Sequence, residues 1–153
     1  MAEKPCAFCN IENDSGRHVM IEKTESYAVF SSNPRLMFGH TLVIPRKHVG
    51  AIYDLPENEW VDLFRVALRI QKKIAERYTI FTGKVAACDL ACHPRPFMPT
   101  TEVSVPLHAH FHLRPRTLCD EYYEEVLKYE TDVFKRGWLT EDEKVRYREL
   151  LLD

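Results

Sequence analysis

The amino-acid sequence predicts an α+β fold. Three observations carry that expectation: short β-branched and aromatic runs bounded by turn formers, one long stretch with a helical apolar stripe, and no internal repeat. A chain of 153 residues fits one domain comfortably.

Residues 26–30 and 40–45 read as strands, the second (His40-Thr41-Leu42-Val43-Ile44-Pro45) β-branched and introduced by Gly39. A hairpin through Ser31-Ser32-Asn33-Pro34 joins them, because Asn and Pro supply turn geometry. Asp54-Leu55-Pro56-Glu57 reads as a capping box with Asp54 as N-cap. Trp60, Leu63, Phe64, Ala67, Ile74 and Tyr78 then follow helical spacing and predict the long helix of the domain. Residues 79–87 suit another strand, and 88–101, rich in proline and carrying Cys88 and Cys92, an irregular loop. The clearest strand is 103–113. Two helical stretches follow: 120–135, ended by Gly137, and 140–152, capped by Thr140 with Glu143. The expected division is a domain over 1–116 and a helical extension over 117–153, packed on that domain or on a partner subunit.

A formal net charge of -2 gives no bulk positive field for long nucleic acids, though a small anion needs only a local site. No apolar run approaches the roughly 20 residues that span a bilayer, and residues 1–5 carry no hydrophobic leader. The expected setting is therefore the reducing cytoplasm. Five cysteines, two of them in Cys6-Ala7-Phe8-Cys9, point there to metal or redox chemistry rather than a disulfide framework.

The strand at 103–113 holds the chemistry. Side chains alternate across a strand, so Val103, Val105, Leu107, Ala109, Phe111 and Leu113 share one face. Ser104, Pro106, His108, His110 and His112 share the other, with imidazoles about 7 Å apart along the chain. Such a row suits zinc binding, or nucleophilic attack on phosphorus by a neutral imidazole, unless it is only a polar exposed face.

The run His108-Ala109-His110-Phe111-His112-Leu113-Arg114-Pro115-Arg116 resembles the His-φ-His-φ-His-φ-φ signature of the histidine-triad (HIT) family, including the Pro-Arg that often follows. Phe38-Gly39-His40-Thr41-Leu42-Val43-Ile44-Pro45-Arg46-Lys47-His48 resembles a second block of that family, Gly-His-Thr-Leu-Val-Ile-Pro-Lys-x-His. Together the resemblance covers about residues 6–116. It implies an antiparallel sheet of about five strands with the long helix packed on it, and commonly a two-fold homodimer. It also implies a small-molecule nucleotide as ligand, with His110 attacking the α-phosphorus, a nucleotidyl-histidine forming, and water releasing the nucleoside monophosphate. His112 would support this through hydrogen bonds and His40 would lie beside the phosphate. The tautomer of His110 must be held by some partner.

Members of the zinc-containing, bacterial-type branch share the Cys-x-x-Cys start. The resemblance to them implies a structural zinc on Cys6, Cys9, His48 and His108, leaving His110 for chemistry. A second metal site at Cys88, Cys92 and His93 is a weaker alternative, since that spacing is not diagnostic. The chain also departs from the family. Ser104, Val105 and Pro106 stand where a Gln-(Ser/Thr)-Val segment usually contacts phosphate, and Pro106 has no N–H to donate. Ser32, with Asn33 beside it, falls where an acidic or amide residue usually holds the ribose, and a serine lacks a carboxylate's two acceptors. Arg95 offers a compensating phosphate clamp.

The leading function on this reading is cleavage at the α-phosphate of nucleoside phosphoramidates or dinucleoside polyphosphates. The alternatives are a nucleotide-binding scaffold of little turnover, and a metal-dependent hydrolase using all three triad histidines as ligands.

Overall fold

Strands β1 (Met20–Lys23), β2 (Tyr27–Ser31), β3 (Thr41–Pro45), β4 (Ala86–His93) and β5 (His110–Thr117) form one sheet in the order β1-β2-β3-β5-β4. Every neighbouring pair is antiparallel. The computed structural model describes residues 6–13, 16, 18–33, 35–93, 107–118, 120, 122, 125, 128 and 139–151. By contacts the chain divides into two units, Met1–Leu118 and Cys119–Asp153. The expected α+β class and five-stranded antiparallel sheet are what the first unit shows.

Helix α1 (Glu57–Thr82) covers one face of the sheet with Leu63, Ala67 and Ile70 buried against Val29, Val43, Phe111 and Leu113. Trp60 and Phe64 of the expected stripe sit at its edge, more than a third exposed. On the opposite face Ile11, Ala28, Phe30, Leu42 and Ile44 form a second apolar cluster, with Phe8 packed against it. Both faces are thus covered, which explains why β3 is buried along its whole length.

Several local expectations are corrected. Asp54 does not cap the long helix. Its carboxylate accepts the Ala51 amide at 3.0 Å and closes a separate 3-10 turn, Ile52–Asp54, while α1 opens on the carbonyl of Pro56. Residues 79–82 are helix rather than strand. The Thr79 and Thr82 hydroxyls donate to the Ala75 and Tyr78 carbonyls at 2.8 and 2.7 Å, which satisfies them within the helix. Gly83 then ends α1 at φ 67°, its N–H on the Thr79 carbonyl. The segment expected as loop from 88 is in part β4, an Ala- and Cys-rich strand whose residues pair with β5 from Ala86↔Thr117 to His93↔His110. Pairing decides its state where intrinsic propensity is silent.

β5 itself starts later and runs further than expected, to Thr117. Pro115 is tolerated because β3 pairs only as far as Leu113, so a single neighbouring strand remains there. The last expected helix is present as α2 (Glu141–Leu151), with the capping box in place: the Thr140 amide donates to the Glu143 carboxylate at 2.7 Å and the Glu143 amide to the Thr140 hydroxyl at 3.2 Å. Expectations for 94–106, including Arg95, Ser104, Val105 and Pro106, lie outside the described residues, as does most of 120–135.

Gly39 fixes the approach of the β2–β3 connection to β5. It has φ +83°, and a Cβ there would lie 2.9 Å from the Pro115 ring. Gly83 is also left-handed but would meet nothing within 4 Å. Gly39→Ala is therefore expected to cost about 2 kcal/mol or more in urea unfolding, and Gly83→Ala only about 1 kcal/mol. Equal costs would mean that the Gly39–Pro115 contact does not constrain the fold.

Candidate functional site

Three imidazoles form a hydrogen-bonded chain across β3 and β5. The Leu36 amide, which can only donate, gives its N–H to His40 Nδ1 at 3.2 Å. His40 must then carry its proton on Nε2, from which it donates to His112 Nδ1 at 2.8 Å. His112 in turn donates from Nε2 to His110 Nε2 at 2.9 Å. His110 keeps its proton on Nδ1 and donates to the carbonyl of His108 at 2.7 Å. An obligate donor at one end and an obligate acceptor at the other leave one tautomer for each ring.

For His40 the neutral state that this pattern requires is also what the surroundings impose. Burial first, and then the positive charge of Arg114, pushes His40 down to about 4. His108 and His110 are each 1% exposed, whereas His112 is half-buried. The rings lean together, with His110 and His112 centroids 4.6 Å apart and His40 stacked on His112 at 5.0 Å. They do not form an exposed polar face: the alternation holds, but a second apolar layer covers the histidine side. Phe8 is part of that layer, its ring edge-on to His110 at 5.0 Å and to His108 at 5.7 Å.

His108 does different work with its ring. Nε2–H donates to the Pro45 carbonyl at 3.0 Å, which turns Nδ1 toward the cysteines. Cys6 Sγ lies 3.3 Å and Cys9 Sγ 3.7 Å from His108 Nδ1, and Cys9 Sγ lies 3.2 Å from His48 Nδ1. All four ligand atoms fall within 4.8 Å of one another, the one such group found among the described residues. Tetrahedral zinc with nitrogen and sulfur ligands has edges of about 3.3–3.8 Å, so the donor set fits a closed Cys2His2 site. The Pro45 carbonyl behind His108 is the kind of outer partner that fixes a ligand's tautomer. Cys88 is a buried thiol pushed up to about 12, first by burial and then by Asp89, and acts as a packing residue.

Beside the imidazole chain lies a groove of about 480 Å³ whose walls include Ile21, Ser32, Asn33, Phe38, His40 and Thr41. Four of the expected site residues, His40, Ser32, Asn33 and His112, thus stand at or next to one opening. His40 joins the two, lining the groove with one edge and touching His112 with the other. Phe8, the Leu36 amide and Arg114 had no place in the expected site. Phe8 was legible only as a spacer in Cys-x-x-Cys, and a backbone amide has no residue signature at all.

The HIT domain family matches residues 12–117. The chain is 28% identical over 141 residues to the adenosine 5'-monophosphoramidase of Saccharomyces cerevisiae, spanning 88% of this chain and 77% of the yeast protein. It is 30% identical over 131 residues to an uncharacterized HIT-like protein of Methanocaldococcus jannaschii, spanning 81% and 86% of the two chains. In fold it is similar to a HIT family protein from Bacillus anthracis, with a TM-score of 0.56 at 21% identity over 90% of this chain and 100% of that one. The matched span takes in all five strands and the whole imidazole chain, though not Cys6 and Cys9. On that ground the chain belongs to the HIT domain family.

Proposed function

We propose that this protein is a nucleotide hydrolase or transferase that acts at the α-phosphate of a nucleoside phosphoramidate or a dinucleoside polyphosphate through His110. The observation that carries the reading is the single tautomer of His110: with its proton on Nδ1, bound to the His108 carbonyl, Nε2 presents a lone pair. In the closed chain that lone pair accepts from His112. A phosphate oxygen entering between the rings accepts the hydrogen bond from His112 Nε2–H in place of His110 and leaves the His110 Nε2 lone pair to attack.

The step balances with these residues and water. Nε2 forms a bond to phosphorus while the bond to the leaving group breaks, and the leaving group departs with the electron pair and takes a proton from water. The His110 ring becomes cationic, and its Nδ1–H bond to the His108 carbonyl stabilises that charge. Water then adds to phosphorus and releases a proton to solvent, the P–N pair returns to His110, which is again neutral with its proton on Nδ1, and the nucleoside monophosphate leaves. The groove at Ser32, Asn33, Phe38 and His40 holds the nucleoside. The similarity to the yeast phosphoramidase supports this class of substrate.

The ion held by Cys6, Cys9, His48 and His108 we assign as zinc, in a structural role. It fastens the N-terminal knuckle to β5, and these thiolates suit a reducing cytoplasm. A two-fold homodimer completes the assignment, with β4 as the sheet edge nearest the site. Residues 117–153 are assigned as a helical extension. Among the described residues no helix is long and apolar enough to cross a membrane.

Incubation with an adenosine phosphoramidate or a dinucleoside polyphosphate is expected to yield a nucleotidyl adduct in intact-mass spectra, absent in His110→Ala and present in Cys6→Ala. Ligand binding with neither adduct nor product would instead identify a nucleotide-binding scaffold. Elemental analysis is expected to find about one zinc per chain. Cys9→Ser should lose it and drop the melting temperature by about 5 °C or more. Turnover abolished by chelators and restored by zinc, without loss of fold, would move the metal into the reaction.

For His40 the sign is set by a folded pKa below the unfolded one. Between the ordinary histidine value of about 6.5 and 4, the unfolded chain binds a proton that folded His40 refuses. That contribution to stability is complete above about 6.5 and declines as pH falls toward 4. NMR titration should keep the His40 ring neutral down to about pH 4; a midpoint near 6.5 would break the chain of assigned tautomers.

A further inference from the structure

The histidine face of β5 does not end at His112. By the same alternation Arg114 and Arg116 continue it, and Arg114 occupies the last position of the triad signature, where an apolar residue is expected. β4 sets Asp89 opposite Arg114. On the other side, Thr41↔Leu113 brings His40 opposite Arg114 one residue further on, and the Ser32 amide donates to the His40 carbonyl at 2.9 Å. Ser32, His40, Arg114 and Asp89 therefore form one rung across the sheet, two residues along β5 from His112 and next to it on the same face.

Arg114 is positioned without being saturated. Its Nε is buried and has no hydrogen-bond partner among the described residues. One terminal nitrogen stands 4.0 Å from the Asp89 carboxylate, and Arg116 stands 3.8 Å from the same oxygen. Both separations exceed hydrogen-bond length, so the Asp89 carboxylate stands near both guanidinium groups without closing on the Arg114 fork. The Arg114 side chain is about a third exposed, so part of it is open to solvent.

In-line displacement decides which part of a substrate meets Arg114. Attack by His110 Nε2 sends the leaving group out on the far side of phosphorus, and His110, His112 and Arg114 follow one another along one face of β5. With the nucleoside in the groove on the β2–β3 side, the β4 side of the rung is left for the leaving group. We propose that Arg114, steadied with Arg116 by Asp89, is a specificity-determining residue that clamps an oxyanion on the leaving group. The preferred substrates are then nucleotides that release an anionic fragment, above all a phosphate, rather than a neutral amine. This rests on cleavage at the α-phosphate through His110.

The test compares kcat/KM for three adenosine substrates: a diadenosine triphosphate, an adenosine phosphoramidate of a carboxylate-bearing amino acid, and the unsubstituted phosphoramidate. Arg114→Gln is expected to lower the ratio of triphosphate to unsubstituted phosphoramidate roughly tenfold or more, and Arg114→Lys by less, since lysine keeps the charge but not the fork. A parallel fall for the carboxylate substrate marks any oxyanion as sufficient; a fall for the triphosphate alone assigns phosphate. In the wild type the same ratio should decline with added salt, which tests the charge even where a variant fails to fold. If the wild type turns over these substrates while the ratio ignores both Arg114→Gln and salt, the clamp is wrong and the His110 chemistry stands. If the wild type cleaves none of them, both fall.

Discussion

The hydrogen bond from His110 Nδ1–H to the carbonyl of His108 is the constraint around which the molecule is arranged. It is local, two residues along one strand, yet it holds only if His108 itself cannot move. That residue is fixed on three sides: Nε2–H on the Pro45 carbonyl, Nδ1 toward Cys6 and Cys9, and Phe8 edge-on to the ring. The Ala109 amide adds a fourth tie, donating to the Val49 carbonyl at 2.8 Å. Backbone and side chain of one histidine thus serve two sites. The Cys6–Cys9 turn and the His110 ring are linked through the frame of this one residue.

The sheet supplies the remaining order. Leu63, Ala67 and Ile70 of α1 seal one face, and the second face combines an apolar half on β2 and β3 with a polar half on β5. A buried polar row of this kind is tolerable only when its members satisfy one another. The imidazole chain does so ring by ring, which is why three histidines can sit beside Phe30 and Leu42 without charge.

How much of this was legible in sequence follows from which physics leaves a periodic trace. The split of His108, His110 and His112 from Ala109, Phe111 and Leu113 was legible because strand alternation is geometric. The grouping of Cys6, Cys9, His48 and His108 was legible from Cys-x-x-Cys together with the family resemblance. Most of β4 was not: the expected strand at 79–87 reached only Ala86 and Ala87, and Cys88–His93, expected as loop, takes its state from pairing with β5. The end of α1 was misread because Thr79 and Thr82 look β-forming until their hydroxyls find carbonyls in the preceding turn. Arg114 passed as part of a motif, although it is the residue there that breaks the apolar pattern. The Leu36 amide and the His108 carbonyl could not be read at all, since every residue carries such groups.

Those two backbone groups have a consequence for proton traffic. A run of imidazoles is ordinarily a conducting wire, in which one proton entering at one end expels another at the far end. Here the terminal Leu36 amide cannot accept and the terminal His108 carbonyl cannot release, so a shift of all three tautomers has nowhere to begin or finish. The row behaves as an insulator with a single resting polarity.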